Sequence, residues 1–323
     1  MSDLDRISRR IAPDLAKVSR RTAAALAAAA ALVGRPDAIP HGGPGKKLRP
    51  AVLLLVARLV DADPADAVSL AVTVELVHAA SLIHDDVIDC ASIRRGAPTV
   101  PALIGASDAV LLGDVIFTAA FRDVVSLNRP EYLRILAHAA GEVCAGEARQ
   151  NRAKGNFRLT ESQYLRIVDL KTASLYRACG ALAAAAASSS KPVTAAAGAF
   201  ARNLGLAFQL ADDLLDVVGD PQKTGKASGC DLAEGKMTLP AILYLKKLPA
   251  SRRRAALASL TRGDAASRDA LVRCIARSRA VSETRRFARR YASAAVAELD
   301  SLPRSPEKTD LAALCRFAAD RSY

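Results

Sequence analysis

Apolar positions recur at helical spacing almost throughout the 323 residues, in blocks separated by residues that start or stop helices. Asp63-Pro64 sets an N-cap and a first-turn proline ahead of one long apolar block. Ser107 opens another block, Thr160-Glu161-Ser162-Gln163 reads as a capping box, and Pro192 begins a further long one. The pattern breaks in two Gly- and Pro-bearing stretches, Gly34 to Pro50 and Gly219 to Pro240, and both are dense in lysine. Loops of that kind can wrap phosphate groups. The expectation is an all-α protein of roughly ten to twelve helices. With no long Pro/Ser/Gly linker dividing the chain, residues 1–323 are expected to form a single large domain.

Composition supports this and narrows the partners. Hydrophobic residues make up 51% of the chain, much of it Ala and Leu, which favour helices and supply a large core. The longest apolar runs, such as Thr22 to Val33, stop well short of the roughly 18 residues that a membrane span requires. The N-terminus carries Asp3 and Asp5 and no cleavable signal pattern, so a cytoplasmic location is expected. The six cysteines form no C-x-x-C pair and read as reduced, mostly buried thiols. A net charge of +13 points to an anionic partner: nucleic acid, an anionic membrane surface or an anionic substrate. An aromatic content of 4% with no Trp weakens the nucleic-acid reading, which rests on base stacking. Arg252, Arg253 and Arg254 read as solvated surface or a contact for lipid headgroups.

One acidic pattern occurs twice, as Asp85-Asp86-Val87-Ile88-Asp89 and Asp212-Asp213-Leu214-Leu215-Asp216, each inside an otherwise apolar helical stretch. Residues four apart share a helix face, so Asp85 stacks with Asp89 and Asp212 with Asp216. Carboxylates that close repel, and in apolar surroundings they require a cation. All-oxygen donors on two helices suit Mg²⁺, which keeps several waters and completes its shell with substrate phosphates. The implied substrate is a phosphate or diphosphate.

These motifs resemble those of the trans-isoprenyl diphosphate synthases, or polyprenyl synthetases. The resemblance runs in order through Gly45-Lys46-Lys47-Leu48-Arg49-Pro50, with Lys47 where Arg is more usual; Leu82 to Asp89 followed by Arg94-Arg95-Gly96; Lys171-Thr172; Phe208-Gln209 to Asp216; Gly225-Lys226; and Asp231 to Lys236. It implies the isoprenoid synthase fold, with about ten helices around a central cavity, usually as a homodimer. It also implies the reaction, in which an allylic diphosphate condenses head to tail with isopentenyl diphosphate and releases pyrophosphate. By resemblance Asp85 and Asp89 hold two Mg²⁺ ions and Asp212 a further one, with Asp86, Asp213 and Asp216 in support. Arg94, Lys171 and Lys226 contact the allylic diphosphate, with Lys236 at its edge, while Thr172 and Gln209 present oxygens to the developing carbocation. Lys46, Arg49, His78 and Arg95 match the positions that bind isopentenyl diphosphate. His84, His41 and His138 read as structural.

Product length is read from the helix before Asp85. In the family, bulky aromatics four or five residues before the first Asp close the tunnel of short-chain enzymes, whereas here those positions are Ser81 and Ala80, with Val77 and Val74 deeper. The expectation is a long-chain synthase, making roughly octaprenyl to decaprenyl diphosphate for quinone side chains, with peripheral membrane contact for its lipid product. The rivals are a short-chain farnesyl or geranylgeranyl diphosphate synthase and a non-catalytic subunit of a heteromeric synthase. A terpene cyclase is disfavoured because the second cluster repeats the first, and a nucleic-acid binder because it leaves both clusters unexplained.

Overall fold

The computed structural model describes residues 3–38, 47–94, 96–219 and 228–321. Apart from one two-residue strand pair, regular structure among these residues is helical: α1 (Asp3–Leu32), α2 (Leu48–Leu59), α3 (Pro64–Ile88), α4 (Val100–Ile104), α5 (Ala106–Ser126), α6 (Pro130–Ala153), α7 (Glu161–Val168), α8 (Ser174–Ala186) and α9 (Lys191–Val218). A single helical turn at Cys230–Ala233 and helices Leu239–Lys247, Ala250–Arg262, Ala265–Ala276, Arg279–Glu298 and Glu307–Asp320 follow. The all-α expectation holds.

Local signals account for several boundaries. Asp63 caps α3 by accepting from the backbone N–H groups of Ala65 and Asp66 at 2.8 and 3.0 Å. The Thr160 capping box is present, with Gln163 N–H donating to Thr160 Oγ1 at 3.3 Å and Thr160 N–H to Gln163 Oε1 at 3.0 Å. α9 begins at Lys191, one residue before Pro192. Ser107 does not start its helix: α5 begins at Ala106 behind Gly105, whose φ of 85° suits glycine.

Contacts gather into two compact units, neither of them one continuous stretch: residues 1–143, 174–202 and 295–314, and residues 144–173, 203–294 and 315–323. In the first unit α3 is the hub, packing against α1, α2, α4, α5 and α8. Leu70, Ala71, Val74, Leu76, Val77 and Ala80 are wholly buried there. By length and composition alone, α3 is long and apolar enough to cross a bilayer. Its apolarity instead matches a helix enclosed by neighbours on most sides. Gly180 of α8 lets the first part of α9 approach, because a methyl there would collide with the Ala197 carbonyl.

In the second unit, α7 leads into a π-helical segment at Asp169–Ala173 and packs on helix Leu239–Lys247, which also contacts helices Ala250–Arg262 and Ala265–Ala276. A small pocket lined by Ala256, Ser259, Leu260, Ser267 and Leu271 lies in this unit and contains none of the candidate residues. The cysteine expectation also changes. Only Cys179 and Cys315 are buried, while Cys90, Cys144 and Cys274 are exposed.

Candidate active site

The first acidic cluster closes α3. Asp89 is the C-cap, and the chain leaves through a Schellman turn in which Cys90 N–H donates to the Val87 carbonyl at 3.2 Å and Ala91 N–H to the Asp86 carbonyl at 2.9 Å. Cys90 takes the left-handed position, φ 51°, where glycine is usual. Three carboxylates thus sit at the negative end of a helix dipole, an arrangement that favours a nearby cation. Asp85 and Asp89 are half-buried, whereas Asp86 is buried and bonded to Arg94, whose Nε and a terminal nitrogen both donate to Asp86 Oδ1 at 2.7 Å. Arg94 reaches back because Ile93–Arg94 pairs with Ala97–Pro98 in a tight antiparallel hairpin, turned at Gly96 with φ 75°. His84 faces Val110 and Asp114 of α5 through Nε2, at 3.2 and 3.5 Å, a structural role as expected.

Two turns before Asp85, His78 Nε2 lies 3.0 Å from an Arg49 guanidinium nitrogen, and the same guanidinium sits 4.8 Å above the Tyr176 ring. Arg49 Nε is buried with no hydrogen-bond partner. A buried, unsatisfied guanidinium donor held beside an imidazole is what an incoming phosphate oxygen would satisfy. Lys47, the N-cap of α2 in a left-handed conformation, hydrogen-bonds Ser19. Lys46, Arg95 and Lys226 lie outside the described residues.

The tunnel candidates all lie on α3. Val74, Val77 and Ala80 have no exposed surface, and only Ser81 is half-buried, its Oγ donating to the His78 carbonyl at 2.8 Å. Ala80, five residues before Asp85, is turned about 140° round the helix from it. The partly open stripe of α3 runs through Asp89, Asp85, Leu82, Ala79, His78 and Glu75.

The second cluster lies in the last two turns of α9, again at a helix C-terminus. Asp213 is buried; it accepts from the Tyr164 hydroxyl and from Gln209 Nε2, the latter at 2.7 Å. Burial first, then the charges of Asp212 and Asp216, push its carboxyl up to about 7 against those two hydrogen bonds. Gln209 Oε1 accepts from Thr172 Oγ1 at 3.0 Å, so both groups expected to face a carbocation are joined in one relay to Asp213. Asp216 accepts from the backbone N–H groups of Cys230 and Asp231 at 3.1 and 3.3 Å. Asp212 is 56% exposed and pairs with Arg321 at 2.5 Å, while that guanidinium stacks 3.9 Å over the Phe208 ring. Lys171 Nζ donates to Gln150 Oε1 at 2.7 Å and is ion-paired with Glu147. Lys236 pairs with Glu234 at 2.7 Å.

Sequence reasoning missed Tyr164, Glu147, Gln150, Arg321 and Asp231 as working residues. Asp231 has its carboxyl pushed well up, first by burial and then by Asp213 and Asp216. It lies in the Asp231 to Lys236 motif, where its charge is a signal; the others carry no local signal.

Among the described residues, no three His, Cys, Asp or Glu side chains converge into a ready-made cage. The donor set still fits Mg²⁺. Paired carboxylates at helix C-termini leave room for the waters and phosphate oxygens that this ion prefers to all-protein shells. When bound, such an ion would neutralise charge on a phosphate leaving group.

Comparisons with known proteins are consistent with this donor set. An octaprenyl diphosphate synthase of Haemophilus influenzae is 33% identical over 100% of this chain and 98% of its own length. A geranylgeranyl diphosphate synthase of Mycobacterium tuberculosis is 37% identical over 85% of this chain and 81% of its own. A decaprenyl diphosphate synthase from Rhodobacter capsulatus superposes with a TM-score of 0.90 at 31% identity, covering 99% of both chains. A polyprenyl synthase from Caulobacter crescentus CB15, complexed with calcium and isoprenyl diphosphate, also gives 0.90, at 33% identity over 99% of this chain and 98% of its own. The family profile described as polyprenyl synthetase matches residues 39–277, a span that includes both acidic clusters, and the chain therefore belongs to the polyprenyl synthetases, the trans-isoprenyl diphosphate synthases.

Proposed function

We propose that the chain is a Mg²⁺-dependent prenyltransferase that condenses an allylic diphosphate with isopentenyl diphosphate, head to tail, and repeats the step to a long all-trans product of roughly octaprenyl to decaprenyl length. In each cycle the allylic C–O bond breaks with release of pyrophosphate, the resulting cation takes the π electrons of isopentenyl diphosphate to form a C–C bond, and one proton passes to the released pyrophosphate to restore an alkene. Asp85 and Asp89 hold metal at the first cluster and Asp212 at the second, while Asp86, Asp213 and Asp216 keep the clusters in shape. Lys171, Arg94, Lys226 and Lys236 bind the allylic diphosphate. Arg49 and His78, with Lys46 and Arg95, receive the diphosphate of isopentenyl diphosphate. Thr172 and Gln209 offer dipoles to the cation without offering a strong nucleophile. The observation that carries the reading is the pair of carboxylate clusters at helix C-termini, each combining a buried Asp with more open ones.

A shorter product is the second reading. It is favoured by the complete burial of Val74, one turn below His78, where the partly open stripe of α3 ends after Glu75. The proposal extends to a cytoplasmic homodimer that contacts anionic lipid through the exposed Arg252, Arg253 and Arg254. Incubation of the purified protein with Mg²⁺, labelled isopentenyl diphosphate and farnesyl diphosphate, with an Asp85→Ala control, tests the reading. Long polyprenyl products absent from the control are expected. Products that stop at geranylgeranyl diphosphate would favour the second reading, and none would indicate a subunit that needs a partner.

A further inference from the structure

One buried carboxylate outside both clusters has no part in the mechanism above. Glu147 of α6 is 8% exposed and forms an ion pair with Lys171. Gln150, one turn along the same face of α6, accepts from the same ammonium at 2.7 Å. Lys171 itself belongs to the π-helical segment Asp169–Ala173, and single π turns are frequent at functional sites. Backbone meets backbone where the two elements touch. A methyl on Gly146 would stand 2.7 Å from Lys171 Cα and 2.9 Å from the Leu170 carbonyl carbon, closer than any side chain tolerates. Gly146 therefore sets the depth at which α6 meets the π turn, and Glu147 and Gln150 reach Lys171 because of it.

We propose that Glu147 and Gln150, seated by the Gly146 notch, are positioning residues that hold the Lys171 ammonium in place for the allylic diphosphate. This rests on the prenyl-transfer reading. A lysine has a long flexible stem, and fixing it before substrate arrives removes an ordering cost from binding. A buried glutamate is itself stable only with such a partner, so the pair fixes both side chains. The effect should fall on the allylic substrate alone, because Lys171 is the only one of the three assigned to substrate.

Steady-state kinetics on full-length protein with Mg²⁺, together with calorimetric binding of an unreactive allylic thiolodiphosphate, test this. Glu147→Gln should raise KM for the allylic diphosphate and weaken the analogue by about tenfold, leaving kcat and KM for isopentenyl diphosphate within about twofold. Glu147→Asp should recover part of the loss, Gln150→Leu should show a smaller shift of the same kind, and Glu147→Gln should add nothing in a Lys171→Met background. Unchanged or tighter analogue binding by both Glu147→Gln and Gln150→Leu, or equal losses for both substrates, would overturn the proposal. A wild-type protein that neither bound the analogue nor made product would overturn the prenyl-transfer reading as well, before any variant was compared.

Discussion

The same five-residue spelling, Asp-Asp-x-x-Asp, builds two different electrostatic settings. At the end of α3 the middle carboxylate, Asp86, is buried and neutralised by a full cation, Arg94. At the end of α9 its counterpart, Asp213, is equally buried but held by neutral donors, Tyr164 and Gln209, and its carboxyl rises to about 7. The flanking residues differ too: Asp85 and Asp89 are half-buried, whereas Asp212 is paired with Arg321 and Asp216 is committed to two backbone N–H groups. A repeated motif therefore fixes which carboxylate turns inward, while the charge balance of that carboxylate depends on partners far away in the chain.

The largest effects should come from the outward carboxylates, where the two clusters are expected to behave alike. Asp85→Asn and Asp212→Asn should each lower kcat/KM by roughly a thousandfold or more, because each removes a proposed anchor for the metal that neutralises the leaving group. Product formation at saturating Mg²⁺ checks this; a variant of either kind that kept near wild-type turnover would break the symmetry assumed between the clusters.

The inward carboxylates should separate them. Asp86→Ala leaves the Arg94 guanidinium without its partner. With Arg94 34% exposed the loss should be about 2 kcal/mol, below the figure for a fully buried pair. Asp213→Asn removes a carboxylate that folding already disfavours at neutral pH, so the metal-free protein should be unchanged or more stable. Urea melts in chelator measure both, and equal destabilisation would show that the two inward residues are held in the same way.

The pH profile sharpens the contrast. Asp213 has a folded value of about 7 against 3.8 for an ordinary aspartate, so between those values the folded state binds a proton that the unfolded chain has lost. Its contribution therefore falls as pH rises through that window and levels off above it. Asp213→Asn should gain relative to wild type as metal-free samples are taken from about pH 4 to about pH 8.

Much of this was legible before the structure. Asp63 and Thr160 announce their helices because capping is a local exchange between a side chain and the next turn's N–H groups. The clusters were legible because charges in apolar helices require an explanation. What escaped was non-local. Tyr164 sits in an unremarkable helix and matters only because Asp213 folds onto it. Glu147 and Gln150 look like ordinary helix residues until Gly146 brings the π turn within reach. Counting back from Asp85 gives the distance of Ala80 along α3, whereas its burial is set by the neighbours packed on that face.

The smallest expected effect concerns the remaining asymmetry, the cation already on Asp212. Arg321 is 4% exposed on its side chain, stacks on Phe208, and donates to the Phe208 carbonyl at 3.2 Å as well as to Asp212. Stacking and the carbonyl contact would keep the guanidinium in place even without the carboxylate, so Asp212 receives its counter-charge from a side chain with independent reasons to be there. An incoming metal ion must share or displace that charge. Since Asp212 is itself 56% exposed, solvent screens much of the repulsion, and the penalty should be modest. Arg321→Gln keeps a carbonyl-directed donor while removing the charge. It should tighten Mn²⁺ binding, followed by the electron paramagnetic resonance of the free ion, by roughly two- to fivefold. The gain should vanish in an Asp212→Asn background and remain in an Asp85→Asn background. A gain of equal size in both would mean that Arg321 acts through the overall charge of the protein rather than through Asp212.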